Sequence, residues 1–340
     1  MDRKIILTGD INLRGVRAPQ EVFAQIGTVT QAADVTFGNL ECCFCDLPDH
    51  NPAEREGFYA PRQAAEALRC AGFDAVGTAN NVTYGEAAIL ASLARLDELG
   101  IAHTGAGCDR TAAGRPAIVE KDGVTYGFLQ RTSIFWPKNH EATSRSPGVA
   151  VLRGHTAYRP RIEAHAADRP GIPPEVVTWA DPEELALYRQ DLAALSERTD
   201  FLVASHHWGL GSEILAYQTE IARAAIDSGA DIVLGHGPHV PLGVEVYKGS
   251  AILYGAGNFS FEFGHHGKHD DWTGYFATVT LSDGAPKEVA ITLVRRSDRN
   301  QTILRRPAEE PETLERLVDQ SRAFGTDLRI DDDHIIVWKR

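Results

Sequence analysis

The sequence predicts an α/β fold, and three observations carry that prediction. Short apolar runs alternate with stretches of helical periodicity through the first third of the chain, as layered strands and helices require. The apolar runs end in polar residues, Asp10, Glu41, Asn81, His207 and the His236/His239 pair, and ligands of α/β sheets gather at such strand ends. The chain has 340 residues, 43% hydrophobic and 24% charged, which suits a globular enzyme with a substantial core.

The elements are justified in order. Lys4–Thr8 is an apolar run closed by Gly9-Asp10; Val35–Leu40 ends in Glu41, and Ala75–Ala79 ends in Asn80-Asn81. Between them lie helical patterns at Gln63–Ala71 and Gly85–Leu99, the second with Leu90, Leu93, Leu96 and Leu99 on one side. Ile101–Thr104 and Val124–Leu129 continue the strands. From about 132 to 180 the periodicity fails and Pro, Arg, His and Ser accumulate, which predicts an irregular insertion or lid. A helix at Pro182–Glu197 feeds the strand Phe201–Ala204, and a helix at Tyr217–Ser228 precedes the strand Asp231–Leu234. Short β-type runs come next, at Val244–Tyr247, Ala251–Tyr254, Gly274–Leu281 and Val289–Val294. A helix at Glu312–Phe324 and a strand at Ile335–Lys339 come last. One domain over 1–340 is expected, with a C-terminal β/α extension at about 285–340.

The formal charge of −13 argues against a nucleic-acid or anionic-membrane partner, because no basic field draws phosphates in. The first ten residues run straight into a strand and no apolar run is long enough to span a bilayer, so a cytoplasmic address is expected. Of five cysteines, Cys42, Cys43 and Cys45 crowd behind Glu41. A disulfide framework is not expected in a chain of this kind, and the three read as small buried or loop residues, with a place beside the active site as the alternative.

The segments Ser205-His206-His207-Trp208-Gly209 and Gly235-His236-Gly237-Pro238-His239 concentrate imidazoles at two strand ends. Neutral imidazoles held there are usual ligands for zinc, manganese or iron. With the carboxylates of Asp10 and Glu41 and the amide of Asn81 they form a mixed oxygen and nitrogen set for one or two divalent ions (Mn, Fe or Zn).

Seven segments carry a resemblance: Gly9-Asp10, Asn39-Leu40-Glu41, Ala79-Asn80-Asn81, Tyr84-Gly85, His207-Trp208-Gly209, Gly235–Val240 and Gly255-Ala256-Gly257-Asn258-Phe259. In these the chain resembles the CapA (poly-γ-glutamate synthesis protein) family of the calcineurin-like metallophosphatase superfamily. The resemblance implies a four-layer α/β/β/α metallophosphatase-like sandwich with metals at the strand ends. It places Asp10 on the first metal with His239, makes Glu41 the bridge, and turns Asn81, His207 and His236 toward the second. Asn12, Asn80, His206 and Asn258 become substrate-side residues, Asn258 being equally suited to order its own turn.

Two departures stand out. Asn12 sits where phosphatases of the superfamily carry a histidine, a residue the CapA branch also lacks. Val82 stands where the family reads Asn-Asn-His, and valine neither stabilises a transition state nor protonates a leaving group. Ordinary phosphomonoesterase activity is therefore not expected. With Asp10 as the central catalytic carboxylate, His265 or His266 in the segment Glu262–Asp271 becomes the replacement acid or base, a solvated polar loop being the alternative. Three functions stay open. One is a metal-dependent hydrolase acting on an amide- or phosphate-containing peptide or polyglutamate-like substrate. Another is a metal-dependent epimerase that removes a Cα proton from a ribosomal peptide. The last is a non-catalytic accessory role in capsule or polyglutamate assembly. Trp136, Trp179, Arg131, Arg145 and Arg153 of the irregular stretch would then cover a substrate and pair with its carboxylates.

Overall fold

The computed structural model describes residues 2–46, 56–162, 168–169, 171–209, 211–265, 267–268, 271–282 and 284–339. Two sheets face each other across an apolar core. The first runs in the order Arg329–Ile330, Ile335–Lys339, Ala285–Arg296, Thr273–Ser282, Arg3–Asn12, Val35–Leu40, Ala75–Gly77, Ala102–Thr104. Asn258–Phe261 lies parallel to Arg3–Asn12, and Thr302–Arg305 flanks Ala285–Arg296. The second sheet runs Pro241–Tyr247, Ser250–Ala256, Ile232–His236, Phe201–His207, Val124–Thr132, Ala117–Lys121.

Strands covered on both faces read as near-continuous apolar runs, which is why Val35–Leu40 and Phe201–His207 are buried throughout. Alternate side chains still go opposite ways. Ile5, Leu7 and Phe37 of the first sheet meet Phe128, Val203 and Leu234 of the second, and the Phe37 and Phe128 rings stack with centroids 4.6 Å apart. On the outer face of the first sheet, Ile6 and Val76 pack against Leu68, Ile89 and Leu96 of the helices Glu66–Ala71 and Glu86–Glu98. On the outer face of the second, Leu202, Ala204 and Val233 pack against the helices Pro182–Ser196 and Ala216–Asp227. The layering is helix, sheet, sheet, helix, the fold class expected. The Pro182 helix starts where its sequence says: Asp181 accepts from the backbone N–H groups of Glu183 and Glu184, and proline occupies the first turn.

Three elements differ from expectation. The strand Phe201–Ala204 continues to His207, because the ladder pairs His206 with Gly235 and His207 with His236 and Thr132. The stretch 132–180 is not wholly irregular: Gly154–Arg159 and Glu175–Ala180 form an antiparallel pair, its alternation masked by exposed polar side chains. The helix expected at Gln63–Ala71 opens with a 3₁₀ turn, Arg62–Ala65. Among the described residues no helix is long and apolar enough to cross a membrane.

Candidate metal centre

Parallel strands put their C-terminal ends at one edge, so the register decides what meets there. Asp10 lies opposite Asn39, and His207 opposite His236. Glycine is required at position 9, where a Cβ would sit 2.1 Å from the Gly257 carbonyl oxygen. That close approach lets the Asp10 N–H donate to Gly257 O at 2.9 Å. Past His236 the chain turns back through Gly237 (φ +106°) and His239 (φ +58°), a left-handed backbone that is uncommon for a residue with a side chain.

The result is a tight cluster. Asp10, Glu41 and His207 each offer one ligand atom, all within 4.8 Å of one another. His207 Nδ1 is 3.2 Å from Glu41 Oε1, and His207 Nε2 is 2.8 Å from Asn81 Oδ1. Across the site, His236 Nδ1 lies 3.4 Å from Asp10 Oδ1 and His239 Nδ1 lies 3.2 Å from Asp10 Oδ2. His239 Nε2 is 3.9 Å from Glu41 Oε2, and Asn258 Oδ1 is 3.0 Å from His239 Nδ1. The structure thus brings Asp10, Glu41, Asn81, His207, His236, His239 and Asn258 to one place.

The chemistry of this set fits a cation. Two carboxylates buried side by side need compensation. Burial first, and the Asp10 charge second, push Glu41 up to about 8. Burial works against ionisation of Asp10 too, but the close approach and charge of His236 and His239 hold it below the usual carboxylate range. Burial pushes His207 down to about 3, leaving the neutral imidazole that a metal ligand needs. At His239 burial opposes the proton, yet Glu41 and Asp10 outweigh it and raise the group to about 9. Most telling is His236: it is fully buried, and neither ring nitrogen makes a well-directed hydrogen bond among the described residues. Such an orphan is costly unless something binds it.

Around the cluster sits a hub with no role assigned from sequence. Asn39 Nδ2 donates to Asp10 Oδ1 at 2.8 Å and to Glu41 Oε1 at 3.2 Å. Asn39 Oδ1 accepts from Gln130 Nε2 at 2.9 Å, and Gln130 Oε1 accepts the Ala79 N–H at 2.6 Å. This network fixes the carboxylate orientation. A polar residue just before Leu40-Glu41, inside a strand buried on both faces, was the available signal.

Other expected site residues do different work. Asn80 is spent internally, donating to Leu40 O and accepting from the N–H groups of Val82 and Thr83, so it shapes the turn that presents Asn81. Asn12 likewise donates to Phe263 O and accepts from the Arg14 N–H. His206 is a correction. Strand alternation turns it outward, 2.9 Å from Ser133 Oγ and against the Trp208 ring, away from the carboxylates. Val82 is buried in the apolar outer core of the first sheet. His265 is exposed and packs on Phe58, with Phe261 next in line toward His239; His266 lies outside the described residues.

The stretch after residue 132 does reach the site. Trp136 Nε1 donates to Asn81 O at 2.9 Å, and the ring of His140 bridges the Trp136 N–H and Thr83 O. His140 is buried and pushed down to about 4 by that burial. The arginines expected to cover substrate do not reach the carboxylate cluster: Arg131 pairs with Asp191 on the outer face, Arg153 is held by Glu141 and Glu184, and Arg145 is exposed. No disulfide joins any of the five cysteines, and burial pushes Cys42 up to about 12, so it is an inert thiol.

The chain thus has a four-layer, metallophosphatase-like sandwich fold with carboxylates and imidazoles gathered at its parallel strand ends. Residues 4–262 match the profile of the family described as "Bacterial capsule synthesis protein PGA_cap", and the chain belongs to that family. It is 30% identical to the uncharacterized protein y4sH of Sinorhizobium fredii, over 71% of this chain and 61% of that one. The PGA biosynthesis protein CapA of Bacillus subtilis is 26% identical, over 73% of this chain and 58% of its own. A Mycobacterium tuberculosis chain named "Probable polyglutamine synthesis accessory protein" is 27% identical, over 73% and 62%. The chain therefore spans about three-fifths of the length of these curated relatives. A solved structure described as a novel phosphatase from Mycoplasma pneumoniae aligns over 89% of this chain and 91% of its own, at 12% identity and a TM-score of 0.45, too low to bear on function.

Proposed function

We propose that the protein is a metal-dependent hydrolase that cleaves an amide bond, or less readily a phosphoester, in a peptide or polyglutamate-like substrate. The observation that carries this reading is the buried Asp10–Glu41–His207 cluster, with the buried His236, whose ring nitrogens make no well-directed hydrogen bond among the described residues, beside it. Asp10, Glu41, Asn81, His207, His236 and His239 would hold one or two Mn, Fe or Zn ions. A divalent ion there would polarise a carbonyl or phosphoryl oxygen and acidify water in its coordination shell.

The chain's own residues do the rest. Asn39 orients both carboxylates, and Asn258 orients the His239 ring. The His239 side chain is 34% exposed while Asp10 and Glu41 are enclosed, so substrate enters on the His239 side. In amide hydrolysis the C–N bond breaks, the hydroxyl of water joins the carbonyl carbon and a proton goes to the departing nitrogen. Val82 has no proton to give, so His265 or His266 of the segment Glu262–Asp271 would carry it.

The test is metal analysis of the purified protein, followed by incubation with γ-linked oligoglutamate and with peptides in deuterated water. About one to two ions per chain and a cleaved product support the reading. A folded protein that takes up no divalent metal overturns it. Deuterium at Cα without cleavage replaces hydrolysis by epimerisation, and metal without turnover replaces it by an accessory role.

A further inference from the structure

A cleft of about 590 Å³ opens beside the metal centre on its His239 side, within the usual size of a ligand pocket. His239, Val240 and Asn258 form one wall. Every other residue lining it lies beyond position 262, where the family match ends. The floor of this cleft therefore belongs to this chain's own C-terminal part.

Most charges in that wall are already paired. Arg295 holds Asp271 and Glu310, each at 2.6 Å, and Glu310 also accepts from Arg305 Nε at 3.0 Å. Glu309 accepts the Arg306 N–H at 2.8 Å. Two charged groups of the lining are not paired: the side chains of Glu312 and Arg316 have no ion-pair or hydrogen-bond partner among the described residues. They lie one turn apart on the helix Pro311–Ala323, in the acid-first order that normally closes an i,i+4 salt bridge. Here it stays open, beside a metal centre.

We propose that Glu312 and Arg316 bind the free α-amino-acid head of the substrate, the carboxylate of Glu312 taking its ammonium and the guanidinium of Arg316 its carboxylate. The orientation of that head relative to the scissile amide rests on the hydrolase reading. The chemistry then narrows the substrate class. The end residue of an ordinary α-peptide carries a free ammonium or a free carboxylate on its α-carbon, because the other is consumed by the amide. Both are free on one carbon only when the residue is joined through its side chain. The cleft therefore selects a terminal residue in a side-chain linkage, such as a γ-glutamyl or isoaspartyl unit.

Calorimetry on the full chain, stripped of metal with EDTA, reads this site directly with γ-glutamylalanine as the probe. We expect the dipeptide to bind. The α-linked isomer and N-acetyl-γ-glutamylalanine should bind about tenfold more weakly or worse, as should γ-glutamylalanine to Glu312→Gln or Arg316→Gln, since each loses one charge-assisted contact. Neither position is buried, and unchanged metal uptake by mass spectrometry shows that the centre is intact in the variants. Equal binding of the isomer or the acetylated probe overturns the proposal, as does unaltered binding in both variants or no binding to wild type. A chain that binds the dipeptide through this pair but takes up no metal keeps the head site and sinks the hydrolase reading alone. One that loads metal and ignores the dipeptide does the reverse.

Discussion

Glu41 is a carboxyl that its surroundings hold protonated until a cation arrives. With its pKa pushed up to about 8 by burial and by Asp10, it is mostly neutral at pH 7 in the metal-free protein. A raised acid costs stability as pH climbs from its ordinary value through 8, and a bound cation removes that cost by demanding the carboxylate. Metal binding at pH 7 should therefore expel about two protons per site, one from the Glu41 carboxyl and one from the His239 imidazolium, and affinity should rise with pH until it flattens near 9. Calorimetry in buffers of different ionisation enthalpy counts the protons; affinity independent of pH between about 6 and 8 contradicts the mechanism. His140 titrates with the opposite sign. Its pKa falls from 6.5 to about 4 by burial, so as pH drops below 6.5 the unfolded chain takes a proton that the folded chain refuses. Up to about 3 kcal/mol of stability should be lost between pH 6.5 and 4 from this group. Urea unfolding of His140→Gln, which removes the titration, should show a shallower acid slope than wild type. Of these residues, Glu41 was legible in the sequence because it is a charge at a strand end. His140 was not, because it sits in a stretch without periodicity and its burial depends on Thr83, distant in the chain. His206, expected on the substrate side, misled for a simpler reason: strand alternation sends it to the face opposite His207.

Elements at this site are positioned by close backbone contact. The strand Arg3–Asn12 shifts register between Asp10 and Ile11, where Asn258–Phe261 pairs with it, and Gly9 is what allows that approach. A methyl at position 9 would have to displace the Gly257 carbonyl. Gly9→Ala should cost about 1–3 kcal/mol as overpacking does, and should also lower metal uptake because Asp10 moves with the strand. Urea unfolding and metal analysis on one preparation check both; a stable variant with wild-type metal content would show that the edge relaxes freely. The main strands could be read from sequence because burial on both faces makes them continuous apolar runs. The pair Gly154–Arg159 and Glu175–Ala180 could not, since most of the first strand is exposed and carries no apolar alternation to betray it.

At the scale of the whole molecule, the family match and the folding unit do not share a boundary. The match ends at residue 262, yet the first sheet depends on strands beyond that point. Thr273–Ser282 pairs along the N-terminal strand from Arg3 to Thr8, and Ala285–Arg296 continues the sheet beyond it. Tyr275, Ala277, Val279 and Ile291 from these two strands share the inter-sheet core with Ile5 and Leu7 and with Phe201, Val203 and Leu253 of the facing sheet. A chain cut after residue 262 would leave the N-terminal strand as an open edge and strip one wall from that core. It should therefore fail to fold rather than survive as a smaller enzyme. The whole chain should unfold in one cooperative transition, whereas the 1–262 fragment should be insoluble or show no thermal transition by circular dichroism. A soluble fragment with a sharp transition and normal metal uptake would make residues 263–340 an appendage, and the cleft around Glu312 and Arg316 would then be separable from the metal centre it adjoins.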